Sequence, residues 1–507
     1  MTDKPNILFI QVDQLMAEAL GAYGNTVCHA PNLDRLAARG AVFERAYCNY
    51  PLCAPSRASM AAGQLCSTIG AYDNAAELPA SIPTYAHYLR GAGYRTALSG
   101  KMHFIGPDQF HGFERRLTPD VYPADFSWVP RETGMKKSET NDTRGVTVSG
   151  QAERTVQMDF DDRATFEAVQ YLYDVARDTE DTRPFFLQVS WTHPHDPYLC
   201  KPEHWALYED KDIPMPRTGA LSKEEHDVHA ARLLDNFSML GVEFTPEEII
   251  RARRAYYGSI SYVDEMVGKL MEVLKATGQA DNTAIVFTSD HGEMLGERGM
   301  WFKKHFYEPS LRVPLIIAAP GRAAKRVAGL ASLVDLLPTF MGLAEGPGWS
   351  SPVETLAGDD LTPYLDDKEI PEDRAVYAEY LAEATPAPIL MIRRGRFKYV
   401  HSEVDPVLLF DVESDPDERE NLAGHREHAE TLDRFATEAR QKWDNDALWQ
   451  QIGESRHRRL LILEAMEQGV GQRWNHDEMP GEVVPWYRGL EGYNEWAFEH
   501  MPARAAE

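Results

Sequence analysis

The sequence predicts an α/β fold, a large mainly parallel mixed sheet sandwiched by helices, with a small antiparallel sheet plus helix behind it. Three observations predict this. Short, continuously apolar runs alternate with stretches of helical spacing through most of the chain, a pattern that builds parallel sheets covered on both faces. After about Pro371 the alternation gives way to short strands joined by tight turns. Polar residues with useful chemistry also follow four of the predicted strands, at the end of the sheet where ligands bind in such folds.

The elements follow in order. Residues 6–12 form an apolar strand closed by Asp13, and residues 33–39 form a helix stopped by Gly40 before a second strand, 41–46. Residues 85–90 are helical with Gly91 and Gly93 closing them, and 96–99 are a strand leading to Lys101 and His103. A strand over 185–191 leads to His193 and His195, and one over 283–289 leads to Asp290 and His291. Between these two, Ile249, Ile250, Tyr256, Tyr257, Ile260, Val263, Met266, Leu270 and Val273 mark one apolar stripe of a long helix over 246–276. Strands at 389–394, 397–401 and 408–411, with Gly395 in the first turn, and a helix over about 427–443 make up the small unit. We expect domain limits of 1–370 and 371–470, with an aromatic tail over 471–507 that packs on its own chain, clasps another subunit or covers a site.

Composition narrows the function. At 507 residues, 43% hydrophobic and 26% charged, the chain has an ordinary globular make-up. Its net charge of −27, from 79 acidic and 52 basic residues, argues against a nucleic-acid or anionic-membrane partner. An anionic substrate then needs a locally positive site, which screening over ~8–10 Å makes workable. The apolar run from Ile7 to Ile10 is too short for a signal-peptide core and no stretch of ~20 apolar residues occurs, so a cytoplasmic location is expected. Cys28, Cys48, Cys53, Cys66 and Cys200 form an odd set without Cys-x-x-Cys, which suggests neither a disulfide framework nor a zinc knuckle.

One cysteine stands in an informative place. Cys53 precedes Ala54-Pro55-Ser56-Arg57 and an Ala/Ser-rich stretch ending at Gly63, so it sits at a helix start, where free amides favour an anion. No familiar thiol-hydrolase signature surrounds it. Asp13, Asp290 and His291 supply the carboxylates and imidazole that a divalent metal takes.

Cys53 to Arg57 resembles the Cys-x-Pro-Ser-Arg signature of type I sulfatases of the alkaline phosphatase superfamily. Gly100 to Gly106, His193-Pro194-His195, Thr288 to Gly292, and the segment with Asp411, Asp415-Pro416 and Asn421-Leu422 are similar to further sulfatase segments. Within the family the chain looks most like the choline-sulfatases, through residues 72–77, 122–126, 193–198 and 295–303.

The resemblance implies a fold, a chemistry and roles. Cys53 would be oxidised by a formylglycine-generating enzyme, and one divalent ion, Mn2+ or Ca2+, would sit on Asp13, Asp290, His291 and residue 53. Arg57 would orient the aldehyde hydrate; Lys101, His103, His195 and Lys303 would surround the sulfate, with His195 at the leaving oxygen and His103 at the spare hydroxyl. Asn74, Trp128 and either Glu379 or Glu383 would meet the alcohol, Trp128 through a cation–π contact. Gln14 stands where many sulfatases have a second aspartate and His291 where asparagine is frequent, which favours Mn2+. The tail from Trp474 departs from the choline-sulfatase tail, so aryl, alkyl and choline sulfates all stay open, as does a phosphonate monoester or phosphodiester. A homodimer or homotetramer is expected by the same resemblance.

Overall fold

In a computed structural model, residues 4–130, 141–470, 474–476, 486–487, 492–499 and 501 are described, so much of the expected tail, 471–507, lies outside the described residues. Fifteen strands occur among them: β1 Asn6–Val12, β2 Ala41–Tyr47, β3 Arg95–Gly100, β4 Arg115–Arg116, β5 Gly150–Gln151, β6 Phe185–Ser190, β7 Leu199–Cys200, β8 Thr283–Ser289, β9 Arg312–Val313, β10 Leu315–Ala318, β11 Lys325–Ser332, β12 Ala375–Tyr380, β13 Ile389–Arg394, β14 Phe397–Ser402 and β15 Leu408–Asp411.

The large sheet runs β11-β2-β10-β8-β1-β6-β3-β4, with β9 beside β2. β8, β1, β6 and β3 are parallel neighbours, with Val12 opposite Ser289, Gln11 opposite Ser190, and Gly100 opposite Ser190. Their carboxyl ends therefore lie along one edge, and whatever residue follows each strand is delivered to the same place. β10 is antiparallel to both β2 and β8, which makes the sheet mixed, as expected. β1, β6 and β8 are buried along nearly their whole length because helices cover both faces.

The predicted long helix is present at its expected bounds, Pro246–Ala276, with Thr245 and Glu248 closing a capping box. The first predicted helix lies two residues earlier, at Pro31–Ala37, where Pro31 suits the opening turn. Two helices of 22 residues, Val156–Arg177 and Asn445–Met466, went unpredicted. The second buries only Leu448, Ile452, Arg459 and Leu463, so it shows little apolar stripe to find. The small sheet has order β12-β13-β14-β15, all antiparallel, with β12 as a strand beyond the predicted three. The helix Ala429–Lys442 packs against β13 and β14. No helix among the described residues is long and apolar enough to cross a membrane.

Candidate active site

Cys53 is the first residue of the helix Cys53–Ala62, which Gly63 ends in a left-handed conformation (φ 65°). Its own N-cap, Leu52, has no side chain to offer the free amides; Asn74 does this from a distant loop, accepting from the Ala54 amide at 3.0 Å. Cys53 is thus held by its helix on one side, and on the other its Sγ lies 3.2 Å from His291 Nε2 and 3.7 Å from Asp13 Oδ1.

The strand-end edge supplies the rest of the charged group. Asp13 follows β1, and Asp290 and His291 follow β8. One donor atom from each of Asp13, Cys53, Asp290 and His291 lies within 4.8 Å of all the others, and all four residues are buried. Two carboxylates and an imidazole on so small a perimeter, at almost no solvent exposure, suit a divalent cation. Beside them Arg57 donates from Nε to Asp290 Oδ2 at 2.7 Å and from Nη1 to the Lys101 carbonyl and Ser190 Oγ, at 2.7 and 2.8 Å. Lys101 Nζ pairs with Asp13 Oδ2. Burial works against ionisation of Asp13, but Lys101, His195, Arg57 and His291 together hold its carboxyl well below the usual range.

Gly100 lets β3 deliver Lys101: at φ 97°, a Cβ there would lie 1.9 Å from the Ser190 carbonyl oxygen. His103, two residues on, is fixed by its backbone amide on Asp120 at 2.8 Å, while neither nitrogen of its buried ring has a partner. Burial and Lys101 hold it neutral. His195 donates from Nδ1 to the Asp196 carbonyl at 2.6 Å, so its Nε2 is a bare acceptor, and Lys303 Nζ donates to it at 2.6 Å. Lys303 also pairs with Gln14 Oε1. Burial and Asp13 push the Cys53 thiol up to about 12, so the thiolate that a cysteine nucleophile needs is scarce at neutral pH.

Gln14 stands out among residues whose role the sequence left unclear. Its side chain turns toward Lys303 and Asp196 and pairs with Glu293, while its backbone amide donates to Asp290 at 3.1 Å. Asp196, Glu293, Ser190 and Asp120 were missed altogether. The first two sit beside or a few residues after recognised positions and Ser190 lies at the end of a predicted strand three residues before His193, a proximity that was available as a signal; Asp120 had none.

Of the residues expected around the alcohol, Trp128 lies with its ring 5.4 Å from His103, 5.0 Å from Tyr122 and 5.5 Å from Tyr487, its indole N–H without a partner. Tyr493 closes the same wall, 5.3 Å from Tyr122 and 5.9 Å from His195, with its hydroxyl accepting from Gln157 at 2.6 Å. These tail aromatics pack on their own chain. Glu379 stands apart in its bonds: its carboxylate accepts from the Ser67 amide at 2.8 Å and from Trp443 Nε1 at 2.6 Å. Glu383, the other candidate, accepts from the Asn74 amide at 3.2 Å and pairs with Lys304 at 3.0 Å.

A buried carboxylate–imidazole set next to a helix-borne residue and several cations, on the carboxyl edge of a parallel sheet, defines a hydrolase of charged esters. Residues 5–346 match the Sulfatase family and residues 296–444 match the family described as N-sulphoglucosamine sulphohydrolase, C-terminal. The chain is 46% identical over 492 residues to a choline-sulfatase of Rhizobium meliloti (strain 1021), covering 94% of each protein. It is 28% identical to an arylsulfatase of Clostridium perfringens, covering 85% of this chain and 92% of that one. Among solved structures, the phosphonate monoester hydrolase of Silicibacter pomeroyi superposes with a TM-score of 0.70 at 25% identity, covering 86% of this chain and 95% of the other. The chain belongs to the sulfatase family, within the alkaline phosphatase superfamily, and is a sulfuric ester hydrolase.

Proposed function

We propose that the protein hydrolyses the sulfate monoester of an alcohol carrying a quaternary ammonium group, choline sulfate being the simplest, through a formylglycine made from Cys53. The observation that carries this is the convergence of Asp13, Cys53, Asp290 and His291 within 4.8 Å, with Arg57, Lys101 and Lys303 around them. The 46% identical relative named a choline-sulfatase supports the alcohol, and so do the Tyr122 and Trp128 rings beside His103. A cation over such rings gains ~0.5–2 kcal/mol. Cys53 is 2% exposed, so its oxidation by a modifying enzyme would have to precede folding.

Asp13, Asp290, His291 and residue 53 would hold one divalent ion, whose imidazole ligand favours Mn2+ over Ca2+. When bound it would acidify an oxygen nucleophile and offset the ester's charge. The chain's own residues do the remainder. Lys101 and Lys303 meet the sulfate oxygens, and Arg57 orients residue 53. One hydroxyl of the aldehyde hydrate, its proton given up to solvent before the ester binds, would attack sulfur in line; the bond from sulfur to the alcohol oxygen would break, and that oxygen would take a proton from Lys303 Nζ, which His195 Nε2 holds in place. The second hydroxyl would then give its proton to His103, the carbon–oxygen bond to sulfate would break, and the aldehyde would return. Water rehydrates it.

Two measurements test this together. Mass spectrometry of the peptide containing Cys53 from active protein is expected to show the aldehyde; an unmodified thiol would sink the mechanism. Turnover of choline sulfate, an aryl sulfate and a phosphonate monoester is expected to rank in that order. A phosphonate monoester turned over fastest would move the enzyme to the activity of its structural neighbour.

A further inference from the structure

Gln14 is fully buried and holds left-handed backbone (φ 65°), a conformation a residue of this kind keeps only where its surroundings fix it. Three charged neighbours meet its side-chain amide. Nε2 donates to Asp196 Oδ1 at 3.2 Å and to Glu293 Oε2, and Oε1 accepts from Lys303 Nζ. A carboxylate only accepts and an ammonium only donates, so all three neighbours agree on one orientation of the amide and exclude its reverse. A carboxylate in this place would stand against two others, and an apolar side chain would leave Lys303 short of an acceptor.

Glu293 also shapes the loop that carries Lys303. Its Oε1 accepts from the Leu295 and Phe302 amides, both at 2.7 Å, and so ties the two ends of that loop together. Leu295, Phe302 and Lys304 hold left-handed backbone, at φ 46°, 68° and 81°. One carboxylate therefore fixes the Lys303 backbone through one oxygen and the Gln14 amide through the other. At the far end, Lys303 Nζ donates to His195 Nε2 at 2.6 Å. An ammonium has three hydrogens, and Gln14 and His195 take two of them. Asp196 Oδ1, at 4.0 Å, is too far to take the third, so the third is left with one direction.

We propose that Gln14 is a positioning residue for proton delivery: Glu293 and Asp196 set its amide, its Oε1 fixes the Lys303 ammonium, and the remaining Lys303 hydrogen is aimed at the leaving oxygen of the ester. Gln14 has this role only if Lys303 is the proton donor, as in the reaction proposed above.

The test is the ratio of kcat/KM on choline sulfate to kcat/KM on the aryl sulfate of an acidic phenol, which departs without a proton. Partial loss of folded or metal-loaded protein lowers both values together and leaves the ratio alone. Assays at about pH 8.5 keep Glu293 a carboxylate. Gln14→Leu is expected to lower the ratio about ten- to hundredfold, the effect of losing one hydrogen bond to a charged group. Gln14→Met, closer in length, takes its place if Gln14→Leu does not fold. Glu293→Gln must keep its oxygen on the Leu295 and Phe302 amides, so its new NH2 group opposes Gln14 Nε2, and the ratio is expected to fall at least about threefold. Both substitutions together should lower it no further than Gln14→Leu alone. An unchanged ratio in Lys303→Ala would show that Lys303 is not the donor and would overturn the proposal with that reading. A fall in Lys303→Ala beside an unchanged ratio in Gln14→Leu would overturn the role of Gln14 alone. Effects of Gln14→Leu and Glu293→Gln that multiply would also overturn it, because Glu293 would then act through the loop.

Discussion

Asp13, Lys101, His195 and Asp290 hang from the ends of four adjacent parallel strands, whereas Tyr122, Trp128, Tyr487 and Tyr493 come from loops and the carboxy-terminal segment. The first set is fixed by hydrogen bonds and ion pairs at almost no solvent exposure. The second is held mainly by ring-to-ring packing, with Tyr493 also accepting from Gln157. A sheet edge imposes position on whatever follows its strands, so the charged end needs only the right residue after each strand. An aromatic wall gets its shape from distant segments meeting, and packing tolerates substitution far more readily. The charged end should therefore decide which bond breaks, and the aromatic wall which alcohol leaves.

The contrast is broken most severely at residue 53. Cys53→Ser supplies a hydroxyl without a second one, so sulfate that arrives cannot be eliminated. Loss of kcat on the order of 10⁴- to 10⁶-fold is expected, with a sulfuryl adduct on the introduced serine visible by intact mass. Steady turnover by this variant would show that a second hydroxyl is not needed. At the leaving oxygen the effect should be smaller: His195→Ala is expected to lower kcat about 10²- to 10⁴-fold on an alkyl sulfate. It should do far less on an aryl sulfate with an acidic phenol, which departs without a proton. Equal losses on both would take His195 out of proton transfer.

Glu293 probes the support beneath the charged end through pH. Burial pushes its carboxyl up to about 7, against ~4.3 in an unfolded chain. Folded protein then holds a proton that the unfolded chain has lost, so this stabilisation is full below ~4.3, falls by ~1.4 kcal/mol per pH unit and is gone above about 7. Urea titrations of metal-free protein should show the wild type losing stability relative to Glu293→Gln across that window; parallel pH profiles would refute it.

The aromatic wall is tested by Trp128→Ala. Removal of one ring should lower kcat/KM for choline sulfate by about two- to thirtyfold, from ~0.5–2 kcal/mol of lost cation–π attraction. An uncharged alkyl sulfate should change by less than about twofold. Equal losses would make Trp128 a packing residue and leave the alcohol unassigned.

The same contrast explains what could be read from the sequence. Each of the four strands feeding the charged group has an apolar centre and a functional residue one to five residues behind its end, so the fold and the sulfate end were legible together. Gln14 was legible as a position and not as a contact: nothing in the chain foretells that its amide turns to Lys303 and Glu293. Tyr487 and Tyr493 were visible only as tail aromatics, because their partners Trp128 and Tyr122 lie in a distant part of the chain and packing of that kind leaves no local pattern. The Asn445–Met466 helix was lost for a related reason, since it carries Trp449, Leu461 and Ile462 on its exposed side.

Glu379 and Glu383 give the finest test, because either was a candidate partner for the ammonium and their surroundings differ. Glu379 is fully buried, and burial raises its pKa; its carboxylate ties Ser67 to Trp443 across the base of the small sheet. Glu379→Gln keeps one acceptor oxygen and puts an amide where the other stood, so one of these bonds must be lost, at about 1–2 kcal/mol of stability by urea midpoint. Its kcat/KM for choline sulfate should stay within about twofold. Glu383→Gln removes a charge that meets Lys304 and the Asn74 amide beside the Cys53 helix. That variant should lose more on choline sulfate than on an uncharged alkyl sulfate. If Glu379→Gln shows the selective loss instead, the ammonium lies nearer the small sheet, and the aromatic wall is only packing.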